Sequence, residues 1–419
     1  MKIQLTPQFS DVHLPAQQDA NQRQLYLAVS AIPEARDSHL PVNLCLVLDH
    51  SGSMGGTPLA TVKDAALGLL DLLQGQDCLS IIAFDHEAKV LVPNQSVRDG
   101  RRIAQAIQTL QAAGGTAIDE GLKLGIKETA VGKQDRVSQL FLLTDGENEH
   151  GDNERCLKLA QVASEYNITV HSLGFGAHWN QDVLEAIADA ANGSLTYIET
   201  PSQAVDSFRQ LFQRVQTVGL TNAHLLLELM PQVRLAELKP IAQVEPETVD
   251  LAFQTEGNRL AIRLGDIMTE PAKVLLINLY LGSLPAGEQI IGQAQIRYDD
   301  PALGQTGLLS PQIPLTLTVQ AQYQPQANPQ VQRAVLTLAK YRQTQIAETK
   351  LKQGDRAGAA TMLQTAAKTA LQLGDQSGAT VLQSSATRLQ AGETLSDADQ
   401  KRTRLASKTT LQAPSAPTN

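Results

Sequence analysis

The chain is 419 residues long, room for two to three domains at ~150 residues each. With 42% hydrophobic and 18% charged residues it can bury sizeable cores, which excludes wholesale disorder, and with only 4% aromatic residues those cores must be mainly Leu, Val, Ile and Ala. A formal net charge of −9 argues against a protein that coats nucleic acid or binds an anionic membrane, because such proteins carry a basic footprint.

Cys45, Cys78 and Cys156 have no CxxC spacing and sit in or beside expected core elements, so they read as reduced structural thiols. The N-terminal stretch MKIQLTPQFSDVHLPAQQD lacks the apolar core of a secretory signal. The segment VLLINLYL at 274–281 has strand length and is too short to span a bilayer. A cytoplasmic protein without a membrane span is expected.

In chain order, residues 1–39 contain RQLYLAVSAI (23–32), whose alternation suits a strand of a sandwich completed further along the chain. From 40 to 219, apolar runs alternate with helical patterns. The runs VNLCLVL (42–48), LSIIAF (79–84), QLFLLT (139–144) and ITVHSLG (168–174) are too continuous to have a wet face, as in a parallel sheet covered on both sides. Between them Leu59, Val62, Ala66 and Leu69 recur at helical steps, as do Ile103, Ala106, Ile107 and Leu110. Strand and helix in alternation predict right-handed crossovers and a doubly wound, mostly parallel α/β sheet. A helix around 202–218 closes this unit. Residues 220–325 alternate with period two between Gly, Pro and Asn turns, which predicts an antiparallel β-sandwich. Residues 326–392 return to a helical period, with two Gly-Asp turns between Ala/Leu-rich stretches, and predict a helical pair or triplet packed on a neighbour. Residues 393–419 lack a hydrophobic period and are expected to form a disordered tail.

Three separated segments carry the chemistry. In LVLDHSGSMGG (46–56) an apolar strand ends in Asp49, with Ser51 and Ser53 at the next alternate positions. In AAGGTAIDEGL, Thr116 follows a Gly pair that allows unusual backbone before a helix. In LFLLTDGENEH, Asp145 follows another apolar strand. An open α/β sheet gathers such positions at the carboxyl edge of its strands, where ligands bind. Two carboxylates and three hydroxyls are hard oxygen donors. They suit Mg²⁺, with Ca²⁺ or Mn²⁺ as substitutes, and leave positions for water or an outside ligand.

DHSGSM, GGT and TDG, in this order and at the ends of these elements, resemble the von Willebrand factor type A (VWA) domain over roughly 40–219. The resemblance implies a metal-ion-dependent adhesion site with ligands Asp49, Ser51, Ser53, Thr116 and Asp145. It implies a non-catalytic function: the metal accepts an Asp or Glu carboxylate from a partner protein. The flanking sandwich and helices resemble the YfbK-like bacterial VWA proteins, also grouped as calcium-activated chloride channel homologues. A second reading is an accessory subunit or co-chaperone of a AAA+ ATPase of the chelatase or MoxR type. A third is a Mg²⁺-dependent phosphatase-like hydrolase, which Ser51 disfavours, since it stands where the usual DxD has its second acid. There is no GxSxG, P-loop or HExxH motif.

A partner-facing rim is expected from His50, Met54, Glu147, Glu149, His178 and Trp179. Trp179 reads either as an exposed anchor or as part of a packed loop. The loop DGENEHGDNE would ring the site with negative charge and favour a partner whose acidic residue lies among Lys and Arg. Asp85, His86 and Glu87 read as a turn, and His171 as a residue of the sheet.

Overall fold

The computed structural model describes residues 1–16, 20–33, 40–133 and 135–408. A six-stranded sheet forms the centre of residues 42–198. Its strands lie in the order Ala88–Ser96, Cys78–Phe84, Val42–Asp49, Val137–Thr144, Thr169–Phe175, Leu195–Ile198. All pair in parallel except the first, which folds back antiparallel at the edge. The alternating side chains of Val42–Asp49 feed two separate cores. Leu44, Leu46 and Leu48 pack with α1 (Thr57–Leu70), α2 (Gly100–Gln108) and α6 (Pro201–Gln216). Cys45 and Val47 pack with α3 (Ile118–Val131), α4 (Asn153–Glu165) and α5 (Gln181–Ala190). Burial on both faces is the physical reason for the unbroken apolar runs. All three cysteines are buried and free.

The sandwich consists of two largely antiparallel sheets that enclose one core. Asn21–Ile32 lies between Lys2–Phe9 and Lys273–Leu281, so the α/β unit sits in sequence between strands of the sandwich. Four helices follow: α7 (Pro329–Lys352), α8 (Arg356–Gln372), α9 (Gln376–Gln390) and α10 (Asp397–Lys408). Val331, Ala334, Leu338 and Tyr341 of α7 cover the outer face of the sandwich at Tyr26, Val244, Val274 and Leu276. The two Gly-Asp turns are built alike. Gly354 and Gly374 take positive φ, and Asp355 and Asp375 cap α8 and α9 by accepting from the amides of Gly358 and Gly378. No helix among the described residues is long and apolar enough to cross a membrane.

Residues 397–408 correct the expectation of a disordered tail, which the sequence placed at 393–419; residues 409–419 lie outside the described residues. The reason is electrostatic. α10 has no broad apolar stripe and docks on the acidic side of α5 with its cations. Arg404 reaches Asp182 at 2.5 Å and Glu185 at 2.6 Å. Lys408 reaches Glu185 at 2.9 Å and Asp189 at 2.6 Å, and Arg402 pairs with Glu199. A hydropathy period does not register an interface of this kind.

At the opposite end of the sheet from the candidate site, a polar network joins the α/β unit to the sandwich. Asp266 accepts from Gln139 at 2.7 Å and Thr169 at 2.9 Å, while His171 bonds Gln139 at 3.0 Å and Ser194 at 2.8 Å. Burial, aided by the charge of Arg214, pushes the His171 pKa down to about 3 from 6.5. The unfolded chain therefore takes up a proton at this residue below pH 6.5 that the folded one refuses. Stability is present above that pH and is lost as pH falls towards about 3. Chemical unfolding across this range should show a shallower acid loss for His171→Gln than for the wild type; equal slopes would assign the loss to other groups.

Candidate metal centre

The first candidate loop leaves the sheet at Asp49, whose strand neighbour is Phe84. Met54 is fully buried in the core with α1 and anchors the short 3₁₀ turn Gly52–Met54 from below. His50 is also buried. Its amide donates to Phe84 O at 2.9 Å, its carbonyl accepts from Ala113 at 2.8 Å, and its Nδ1 lies 3.0 Å from Gln111 O. Gly52 N donates to Gly114 O at 3.0 Å. These bonds lay the 111–117 segment alongside the 50–54 turn. Gly114 takes φ +74°, and a Cβ there would stand 2.5 Å from His86 Nδ1 and 2.9 Å from Asp85 Oδ2, so this close crossing requires glycine.

Thr116 is fixed by its neighbours. Ala117 N donates to Asp85 O at 2.7 Å, and Thr116 O accepts from His150 N at 3.0 Å. Asp85 itself forms a turn in which its Oδ1 accepts from Glu87 N at 2.8 Å. The N-terminus of α3 has no cap of its own; Asn148 from the 145–154 loop accepts from Ile118 N at 2.7 Å. That bond ties the Thr116 loop to the Asp145 loop.

The five motif residues converge. Ser51 N donates to Asp49 Oδ1 at 2.8 Å, Ser51 Oγ and Ser53 Oγ are 3.1 Å apart, and Ser53 Oγ donates to Asp145 Oδ1 at 2.7 Å. Thr116 Oγ1 and Ser53 Oγ lie 3.2 and 3.9 Å from the same point, the position a Cβ on Gly146 would occupy. Asp49, Ser51 and Thr116 are buried, Asp145 is half-buried and Ser53 is exposed, so the cluster opens to solvent on one side. Burial pushes the Asp49 pKa up to about 6, against the hydrogen bonds it accepts from Thr144 and Ser51, and burial likewise raises Asp145. Two carboxylates are thus drawn out of water next to each other and surrounded by hydroxyl oxygens. A hard cation would relieve that cost. Among the described residues no group of three or more His, Cys, Asp or Glu side chains suits a metal, so hydroxyls must complete any donor set here.

The expected rim divides. Glu147, Glu149 and His178 are exposed, and His178 lies close enough to act electrostatically on Asp145. His50, Met54 and Trp179 do not belong to the rim. The first two are the buried supports just described, and Trp179 is 2% exposed. Its Nε1 donates to Gly176 O at 2.9 Å, and its ring fills the space over Gly174, where a Cβ would meet it at 2.2 Å. The acidic ring is also thinner than its sequence suggests, because Asp152 caps α4 by accepting from Glu154 N and Arg155 N. Arg155 pairs with Asp119 at 2.8 Å and Glu120 at 2.5 Å.

Two supporting residues escaped the sequence reading. One is Asn148, named above. The other is Thr144, whose Oγ1 donates to Asp49 Oδ2 at 2.6 Å and accepts from Gly146 N at 3.2 Å. A Thr ending a buried strand beside a candidate ligand Asp was the available signal. Thr144→Val removes the hydroxyl that donates to Asp49 Oδ2 and should cost about 1–3 kcal/mol in denaturant unfolding at neutral pH. An unchanged midpoint would show that water replaces the hydroxyl.

Comparison with known proteins agrees with this architecture. Residues 43–214 match the von Willebrand factor type A domain, and 329–413 match the Sll0103-like, C-terminal alpha-helical domain. The Synechocystis protein sll0103 is 66% identical over 100% of this chain and 99% of its own length. The Escherichia coli protein YfbK is 28% identical over 44% of this chain and 33% of its own length. Among solved structures, a von Willebrand factor type A protein from Catenulispora acidiphila superposes with a TM-score of 0.81. It covers 98% of this chain and 97% of its own, at 19% identity, and so speaks to the fold alone. VWA domains are a family of protein–protein interaction modules. The chain belongs to the family of Sll0103-like proteins, in which a VWA domain is joined to a C-terminal α-helical domain.

Proposed function

We propose that this protein is a Mg²⁺-dependent interaction module that grips an acidic side chain of a partner protein. Asp49, Ser51, Ser53, Thr116 and Asp145 would hold the ion, directly or through water. The observation that carries this reading is the meeting of two carboxylates of raised proton affinity with three hydroxyls at one solvent-open point. Mg²⁺ is small, prefers oxygen and retains open or water-filled positions. Neutral hydroxyl ligands leave it electrophilic, so an incoming carboxylate gains more than at an all-carboxylate site. Exposed Glu147 and Glu149 favour a partner whose acidic residue is flanked by Lys or Arg. The reading is non-catalytic. Asp49, which a phosphoryl-transfer reading would need as nucleophile, is buried and held by Thr144 and Ser51.

Affinity capture with the full chain in Mg²⁺ and in EDTA tests this. The wild type should retain a partner in Mg²⁺ only, and an Asp49→Ala/Asp145→Ala variant in neither buffer. Capture should strengthen as pH is raised through about 6, because the ion competes with the proton on Asp49. A partner held equally in EDTA and by the double variant would refute the reading.

A further inference from the structure

Beside the candidate metal centre, a cleft of about 340 Å³ runs between the VWA domain and the C-terminal helices. That size falls within the ~300–1,000 Å³ common for ligand clefts. Glu147 and His178, exposed at the metal rim, stand at its mouth. One wall is the 177–180 loop with Trp179, continued by Gln181 and Asp182 at the start of α5. The other is built from α7, α8 and α10, with Ala347, Leu351 and Leu363 facing in.

Two hydrogen-bond donors in this cleft are undersupplied. Gln181 Nε2 is buried and has no hydrogen-bond partner among the described residues. Lys401 is 4% exposed; its ammonium lies 4.2 Å from the centre of the Trp179 ring and donates to Ala177 O. An ammonium has three N–H donors, and among the described residues no carboxylate lies within ion-pair distance of this one. The other cations of the cleft, Lys352 and Arg404, are already taken by Asp182 at 3.0 and 2.5 Å. Glu147 and Asp397 act on Lys401 from further away, so the cleft is no trap for a free anion. Neutral acceptors beside an aliphatic group match it better, which is the chemistry of a peptide backbone with a Leu-sized side chain.

We propose that this cleft seats the stretch of partner chain that continues from the metal-bound acidic residue, with backbone carbonyls toward Lys401 and Gln181 and an aliphatic side chain against Trp179, Leu351 and Leu363. The proposal rests on the metal-bridged reading above. Glu147 lies two positions from Asp145 and lines the cleft, and an extended chain advances ~3.3 Å per residue. The aliphatic residue therefore falls at one fixed spacing, a few positions from the acidic one.

A random peptide library panned on the full chain tests this in three arms: wild type in Mg²⁺, wild type in EDTA, and a Leu351→Gln/Lys401→Met variant in Mg²⁺. The wild type in Mg²⁺ should select an acidic residue with an aliphatic one at a fixed spacing a few positions away. The variant should keep the acidic position, lose the aliphatic one and bind the wild-type consensus peptide at least ~10-fold more weakly. Gln181→Leu, on the opposite wall, should weaken the same peptide without involving the helical domain. The peptide should also shift the emission of Trp179, the chain's one tryptophan. The same consensus from wild type and variant, a consensus with no aliphatic position, or no enrichment at all would overturn the proposal. An aliphatic consensus that persists in EDTA without an acidic position would support the cleft and contradict the metal reading alone.

Discussion

The Asp49 carboxylate is the constraint on which the rest of the site depends. It ends a strand buried on both faces, so its charge sits where water cannot reach it, and its proton affinity rises accordingly. Hydrogen bonds from the Thr144 hydroxyl and from Ser51 hold its two oxygens. That geometry needs Met54 and His50 turned inward, and it needs the Thr116 segment fastened to both the 50–54 turn and the 145–154 loop. Asn148 and the Gly114 crossing supply those fastenings. Buried hydrogen bonds between three loops therefore hold the five side chains together.

Around this rigid edge the protein places its other domains by different physics. The sandwich and α7 meet through aliphatic cores. The C-terminal helix α10 instead meets α5 through charges, with Lys408 and Arg404 set among Asp182, Glu185 and Asp189. Pairs of this kind contribute little net stability after desolvation, yet they fix orientation, because either partner left alone would be a buried charge. The result is a helix held against the loop that carries His178 and Trp179, beside the candidate metal centre.

The parts that were legible in the sequence are those governed by continuous burial or by spacing. VNLCLVL and QLFLLT announce strands covered on both sides, and Asp49, Ser51, Ser53, Thr116 and Asp145 announce themselves by position at the ends of such strands. The VWA domain and its doubly wound sheet followed from these, and the family comparison bears them out. What remained illegible depends on contacts from afar. The edge strand Ala88–Ser96 is half exposed and includes Pro93 and Asn94, so it lacks the apolar run of its neighbours. Trp179 at a loop tip reads as a packed residue or as an exposed anchor until Gly174 and Lys401 are seen to enclose it. Met54 and His50, in a polar turn, look like rim residues although they are its foundation. α10 was missed because its partners are acids of α5, more than 200 positions away in sequence.

The central claim is that this cluster of carboxylates and hydroxyls is a site for one hard divalent cation. Calorimetric titration of the metal-stripped full chain with Mg²⁺ tests it most directly. The account predicts saturation at about one ion per chain with release of protons near pH 6, and loss of that binding in Thr116→Ala. An absence of saturable binding, or binding that Thr116→Ala leaves unchanged, would contradict it.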